Sequence, residues 1–562
     1  MGNTDLQNLT ERLNDPGREF TPVPLWFWND RLDDAKIKEQ IISFYDKGIY
    51  AFMIHPRMGI PEDIPYMSDI YLDHVEKAVE TAAGLGMRVC LYDEGMYPSG
   101  SAHGQVVAED PRHAAQALVM RYKEDGSMSF VQTRSGGTIR GIHFGEDGFE
   151  PGAPPAADIM DPDAVRSFIR LTHEKYYSRL SRYFGSTIYA IFTDEPSLTG
   201  RGDMTGKIPW TNGMHELCHE RGITEDDLHH LFENGDDDVD AGDGGRGRKV
   251  RKIFAEICAE RLERSFYKQL SDWCTEHGIA LTGHPSQSDD IGLLRSFHIP
   301  GQDLVLRKVG PENGKALSGR DSTLAKCSAD SARHSDKRRN SCECFGCCVR
   351  SEPSKGWDLP PEDMKWYIDW LAVRGVNLFM PHAFYYSLDG RRAYERPPDV
   401  GPAQTWWEHY RYWSDYMTRL SALMSDGMTM THTAVLCLSD HLPFLIASHL
   451  YMNQIDFNYL EEYFLTSDIN IGRVGHICAG RYSYDTILVE DPSVFGEKTL
   501  HRLHELSGYG IRVIYGCDPG EDLIHDLRKN APVEVSGYLP DLRMTCQQKE
   551  DHVAVLLVNE GE

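Results

Sequence analysis

The stretch YAIFTDEP (189–196) runs from Tyr, Ala, Ile and Phe, all suited to a buried strand, through a threonine to two adjacent carboxylic acids and a proline. VCLYDEG (89–95) does the same earlier in the chain. Acids set at the exit of an apolar strand are what a barrel of parallel strands displays at its C-terminal rim. Reading outward from these two stretches, β-rich runs alternate with segments of helical period, the order of βα units. PVPLWFWN (22–29), IYAFMIHPR (49–57) and MRVCLYDEG (87–95) read as the first three strands, separated by amphipathic helices. STIYAIFTDEP (186–196) is the fourth strand, IALTGHPS (279–286) the fifth, QDLVLRKV (302–309) the sixth, NSCECFG (340–346) the seventh and VNLFMPHAFYYS (376–387) the eighth.

Eight such units predict an α/β fold, a (β/α)8 TIM barrel with insertions over residues 1–425. A Gly-rich segment of short alternating runs, about 115–155, reads as an inserted β-hairpin region, and the acidic stretch at 233–247 as a flexible loop. From HTAVLCLS (432–439) the pattern restarts, with a helix expected around NYLEEYFLTS (458–467), then YDTILVED (484–491) and IRVIYG (511–516) as strands. This predicts a smaller, flavodoxin-like α/β domain over 426–540, with 541–562 as the start of a truncated β-domain.

The 562 residues carry 86 Asp plus Glu against 58 Lys plus Arg, a net charge of −28, which disfavours nucleic acid and anionic membrane surfaces as partners. No apolar run is long enough to span a bilayer, and the start, MGNTDLQNLTERLNDPG, has no basic n-region or apolar h-region. The 13 cysteines, an odd number with four crowded into CECFGCC (342–348), suit reduced, buried thiols better than a disulfide framework or a zinc site of spaced pairs. A bacterial cytoplasm is the expected compartment. An α/β domain beside a barrel often helps build dimers or trimers, and by that analogy alone a homo-oligomer is open.

The strand ends collect Trp28, Asn29, His55, Arg57, Tyr92, Asp93, Glu94, Asp194, Glu195, His284, Glu343, His382, Tyr385 and Tyr386 at one rim. Carboxylates, imidazoles and aromatics together suit a carbohydrate. Glycosidic cleavage needs one protonated and one ionised carboxyl astride the bond. Glu195 and Glu343 are the candidate catalytic pair. In SCECFG, Glu343 points opposite to Cys342 and Cys344, so thiols facing the helices would turn the carboxylate inward. Trp26, Trp28, Tyr385 and Tyr386 would supply flat faces for a sugar ring. Asp93 and Glu94 admit either ligand binding or a hydrogen-bonding role inside the turn GMYPSG (95–100).

PLWFWNDRL (24–32), LYDEGMYPSGSAHG (91–104), IFTDEP (191–196) and MKWYIDWLAVRGVNLFMPHAFYYS (364–387) together resemble the barrel of bacterial glycoside hydrolases related to family 106, the α-L-rhamnosidases. The order of barrel and α/β domain is similar to that of family 42 β-galactosidases. The resemblance implies an acid after strand four and a second carboxylate after strand seven, matching Glu195 and Glu343, with Asp194 where many such barrels carry Asn. It also implies calcium-assisted, inverting catalysis, whereas the residues themselves require no cofactor. The expected activity is removal of a terminal sugar from an oligosaccharide or glycoside. Two rivals stay open: a metal-dependent barrel isomerase or hydrolase with ligands among His55, Asp93, Glu94, His284 and His382, and a carbohydrate-binding relative without catalysis.

Overall fold

The computed structural model describes residues 11, 13–233, 245–304, 308–348, 359–394, 398–467, 475–529 and 531–561. Most of the expected acidic loop at 233–247 lies outside them. Eight parallel strands close into a barrel: β1 (Leu25–Trp28), β2 (Ala51–Pro56), β3 (Arg88–Tyr92), β4 (Ile188–Asp194), β5 (Ala280–His284), β6 (Ile299–Asp303), β7 (Ser341–Cys344) and β8 (Leu378–Tyr385). Each pairs with its sequence neighbours, and β1 closes on β8 with Leu25 opposite His382 and Phe27 opposite Tyr385.

Strand alternation sorts the side chains into two layers. Leu25, Phe27, Met53, Cys90, Tyr92, Phe192, Met380 and Tyr385 fill the barrel interior. Trp26, Trp28, Ile54, Leu91, Cys342 and Cys344 face the surrounding helices. Trp26 is fully buried there, its indole N–H donating to Gln40 Oε1 at 2.7 Å, and burial of such a ring stabilises by roughly 2–3 kcal/mol. The helix after β1, Asp34–Asp46, begins where the Asp33 carboxylate accepts from Lys36 N, and it buries Ile37, Ile41 and Phe44 against the barrel.

The sixth strand departs from expectation: it runs Ile299–Asp303, not 302–309, and residues 305–307 of the expected stretch lie outside the described ones. Pro300 sits inside a central strand, where proline argues against strand assignment from sequence. The backbone at Gly301 runs so close to its neighbours that a Cβ would stand 2.4 Å from Ser341 Oγ. The inserted hairpin exists as Gln116–Tyr122 and Met128–Arg134, joined by a third strand from beyond β4, Lys207–Trp210.

After the barrel, a four-stranded parallel sheet is ordered Asn458–Glu461, Thr433–Cys437, Thr486–Val489, Arg512–Tyr515. The helix expected over 458–467 shrinks to Glu462–Thr466, because Asn458–Glu461 is wholly buried as a strand beside Thr433–Cys437. Leu542–Gln548 and Val553–Asn559 pair antiparallel, with Met428–Thr429 completing their sheet. Barrel and parallel sheet are fastened by partly buried ion pairs, Arg295 to Glu461 and Lys326 to Asp456.

Candidate active site

Register decides which acids meet. Asp194 lies opposite His284 across β4 and β5, and Glu343 opposite Asp303 across β6 and β7, all at the C-terminal ends. His284 Nε2 stands 3.3 Å from Glu343 Oε2 and 3.5 Å from Asp194 Oδ1. Tyr92 Oη donates to the other Asp194 oxygen at 2.5 Å, and His55 stacks on the Tyr92 ring at 3.8 Å. A Cβ placed on Gly346 would lie 3.5 Å from His382 Cγ and 3.7 Å from Glu343 Oε1, so the turn after β7 sets these two side by side. Glu195 leaves β4 with φ of +42°, a conformation costly for a residue with a Cβ and concentrated at functional sites. It borders a cavity of about 310 Å³ with Asp303, Ser286, Gln287 and Lys308.

Burial raises three of these carboxyls. Burial, with Asp194 and Asp303 nearby, pushes Glu195 up to about 7. Burial and the Glu343 charge push Asp303 up to about 8. Burial opposes a charge on His284, but the bond to Glu343 and the Asp194, Glu343 and Asp303 carboxylates outweigh it and push the ring up to about 10. Glu343 is itself raised by burial, with the His284 bond holding it back. At neutral pH His284 is therefore an imidazolium bonded to Glu343, beside a Glu195 that still carries its proton about half the time. His55 is held well below its usual range by burial and by Arg57, so it is a neutral ring.

The structure brings together His55, Tyr92, Asp194, Glu195, His284, Glu343 and His382, with Tyr385 packed edge-on against Phe27 at the end of β8. Arg57 lies over the Phe27 ring at 4.2 Å. Asp93 is fully buried and takes a bond from Ser99 Oγ at 2.6 Å, tying the loop after β3 to the site. The remaining expected residues do other work. Trp28, like Trp26, is buried against the helices, 5.4 Å from Trp26 ring to ring, because strand alternation turns Phe27 inward instead. Tyr386 is likewise outward, accepting from Asp33 N at 3.0 Å. Asn29 spends both ends of its amide on the Ser387 backbone, at 2.8 and 2.9 Å. None of the three offers a sugar platform.

Glu94 belongs to the turn. Its two oxygens accept from the backbone N–H of Gly95, Gly100, Ser101, Ala102 and His103 at 2.5–3.2 Å. This resolves the alternative left open for it: the carboxylate is the hub on which GMYPSGSAH is wound. Glu94→Ala strands several buried donors and is expected to cost about 3–5 kcal/mol. Thermal unfolding of the two proteins measures this, and an unchanged midpoint would refute the hub role.

Asp303 is the residue that sequence reading missed. It lay inside the stretch expected as strand six, but with the strand end set at 309 it was not at the rim. At the point where the Asp194 and Glu343 carboxylates converge, the donors do not fit the calcium that the resemblance implies. Calcium takes six to eight oxygens, whereas the place where the Asp194 and Glu343 carboxylates converge is filled by the His284 ring.

No family model matches the sequence, and no curated protein sequence matches it. Among solved structures the chain is similar to a rhamnosidase from Novosphingobium sp. PP1Y, with a TM-score of 0.71 and 14% identity, covering 98% of this chain and 78% of that one. It is similar to a β-galactosidase from the Antarctic haloarchaeon Halorubrum lacusprofundi, with a TM-score of 0.56 and 12% identity over 93% and 76% of the two chains. A GH42 β-galactosidase from G. stearothermophilus gives 0.52 and 11% over 96% and 82%. At such identities the likeness is one of architecture: a (β/α)8 barrel with further, smaller sheets, of the kind those glycosidases share.

Proposed function

We propose that the chain is a glycoside hydrolase that removes a terminal sugar from an oligosaccharide or glycoside. The observation that carries this reading is the pair Glu195 and Glu343, buried rim carboxyls in different surroundings: the His284 ring bonds Glu343, while burial, with Asp194 and Asp303 beside it, pushes Glu195 up to about 7. Two carboxyls so placed are the acid and base assignments of such a reaction. Glu195 is the general acid: it gives its proton to the departing glycosidic oxygen. Glu343, ionised and bonded to the His284 imidazolium, acts on the anomeric carbon directly or through water. Tyr92, which bonds Asp194, His55, which stacks on Tyr92, and His382, beside Glu343, stand at the same rim. The names of the similar structures, a rhamnosidase and β-galactosidases, put α-L-rhamnosides first and β-D-galactosides second among substrates.

The test is hydrolysis of aryl glycosides of α-L-rhamnose, β-D-galactose, β-D-glucuronic acid and α-L-arabinose, followed by NMR of the anomer first released. Inversion makes Glu343 the base toward water, and retention makes it the nucleophile. Absence of turnover across a widened panel would sink the reading. Because the acid must be protonated to work, kcat/KM is expected to fall as pH rises through about 7, the value to which burial pushes Glu195. A profile flat from pH 6 to 9 on unactivated substrate would exclude Glu195 as the acid.

One observation favours a second reading. Asp194, His284 and Glu343 each offer a ligand atom within 4.8 Å of the others, a donor set for a transition metal. A metal-dependent barrel enzyme would lose activity on chelation and tolerate Glu195→Gln, the reverse of the hydrolase expectation.

A further inference from the structure

The most distinctive sequence motif, LYDEGMYPSGSAHG (91–104), is accounted for by Glu94 and Ser99 up to its histidine. His103 takes no part in the carboxylate cluster. Its ring points the other way, toward the segment inserted after β3, where His103 Nε2 meets Glu146 Oε2 at 2.8 Å. His143, on the same segment, stands with its ring centroid 5.4 Å from that of His103, and its backbone N–H donates to the same Glu146 oxygen at 2.9 Å. One ring nitrogen from each histidine and a Glu146 oxygen all lie within 4.8 Å of one another.

We propose that His103, His143 and Glu146 form a binding site for a divalent transition metal, zinc by its chemistry, which pins the active-site loop after β3 to the inserted segment. Two imidazoles and one carboxylate are a common zinc donor set, leaving a fourth position for water. The orientation of His143 is the second support. Its Nδ1 is bonded to the Ile60 carbonyl at 2.7 Å. A backbone carbonyl on the far nitrogen is how ligating histidines are usually held, and it leaves Nε2 as the electron-pair donor. His143 is 8% exposed and fixed, while the His103 and Glu146 side chains are 14% and 18% exposed, so an ion has both a rigid anchor and a way in. Softer imidazole donors select zinc, copper or nickel over calcium or magnesium. The blander account, a His103–Glu146 ion pair alone, leaves the carbonyl-oriented second ring, that of His143, unexplained.

The site stands apart from the proposed hydrolysis and holds whether or not that reading does. The experiment loads the full chain with zinc chloride after chelator treatment, desalts it, and measures metal by mass spectrometry. It is repeated for His103→Gln and Glu146→Gln, chosen because both side chains are partly exposed and the fold can be checked by circular dichroism. The expected result is about one zinc per chain in the wild type and under a tenth of that in each variant. Cobalt substitution should give the intense visible bands of a four-coordinate ion, lost in both variants. No retained zinc in the wild type overturns the proposal. So does zinc retained equally by the variants, which would place it at Asp194, His284 and Glu343 or at His229, His230 and Glu233, the other two groups of ligand atoms among the described residues.

Discussion

Glu343→Gln should abolish turnover of every substrate the wild type accepts, by at least about 10³-fold in kcat. Glu195→Gln should abolish it only for poor leaving groups. The asymmetry follows from the roles proposed for the two residues. Glu343 acts at the anomeric carbon, where no property of the leaving group can replace it. Glu195 supplies a proton worth roughly 10²–10⁴, and a dinitrophenol, acidic enough to depart as its anion, does not need one. A dinitrophenyl glycoside should therefore be cleaved by Glu195→Gln within about tenfold of the wild-type rate, with the alkaline limb near pH 7 gone. Azide should restore Glu343→Gln if that carboxylate is the nucleophile, giving a glycosyl azide of the opposite anomeric configuration. Equal losses in both variants on both substrate types would mean that the two glutamates act as one unit, as ligands of a common ion would. Survival of both would remove the carboxylate mechanism altogether.

The positions of these residues were legible in the sequence to different depths. Glu343 could be placed by strand alternation alone, since CECFG makes it the one acidic side chain opposite two thiols, and Cys342 and Cys344 do face the helices. Asp194 and Glu195 were legible because YAIFTDEP leaves little choice of strand end. The same alternation, applied to LWFW, would have shown that Phe27 and Trp28 cannot share a face. The aromatic content of the stretch pointed to sugar stacking where its period pointed to packing. Asp303 was hidden by Pro300, a residue that ordinarily marks the absence of a central strand. Glu94 shows a different limit. An acid beside a Gly- and Ser-rich turn can face a ligand or collect the turn's own N–H groups, and only the path of the backbone from Gly95 to His103 decides between them.

His284 carries the second large effect, and it is one a merely structural residue would not produce. Four carboxyls, those of Asp194, Glu195, Asp303 and Glu343, crowd the rim, and His284 is the cation set between two of them. His284→Gln keeps a hydrogen-bonding group of similar size but removes the charge. Without it Glu343 loses the interaction that opposes its burial, and it ionises only at higher pH. The acid limb of kcat/KM should then move upward toward the alkaline limb set by Glu195, narrowing the profile and lowering its peak by about 10²–10³. Stability follows the opposite course with pH. The folded-state pKa of His284, about 10, lies above that of an unfolded histidine, 6.5. Its contribution is therefore complete below about 6.5 and fades as pH rises through about 10. The gap in unfolding temperature between wild type and His284→Gln should be widest near pH 6 and should close toward pH 10. A gap that stays constant over that range, with an acid limb unmoved, would mean that His284 is a neutral spacer and that the charge balance of the site rests elsewhere.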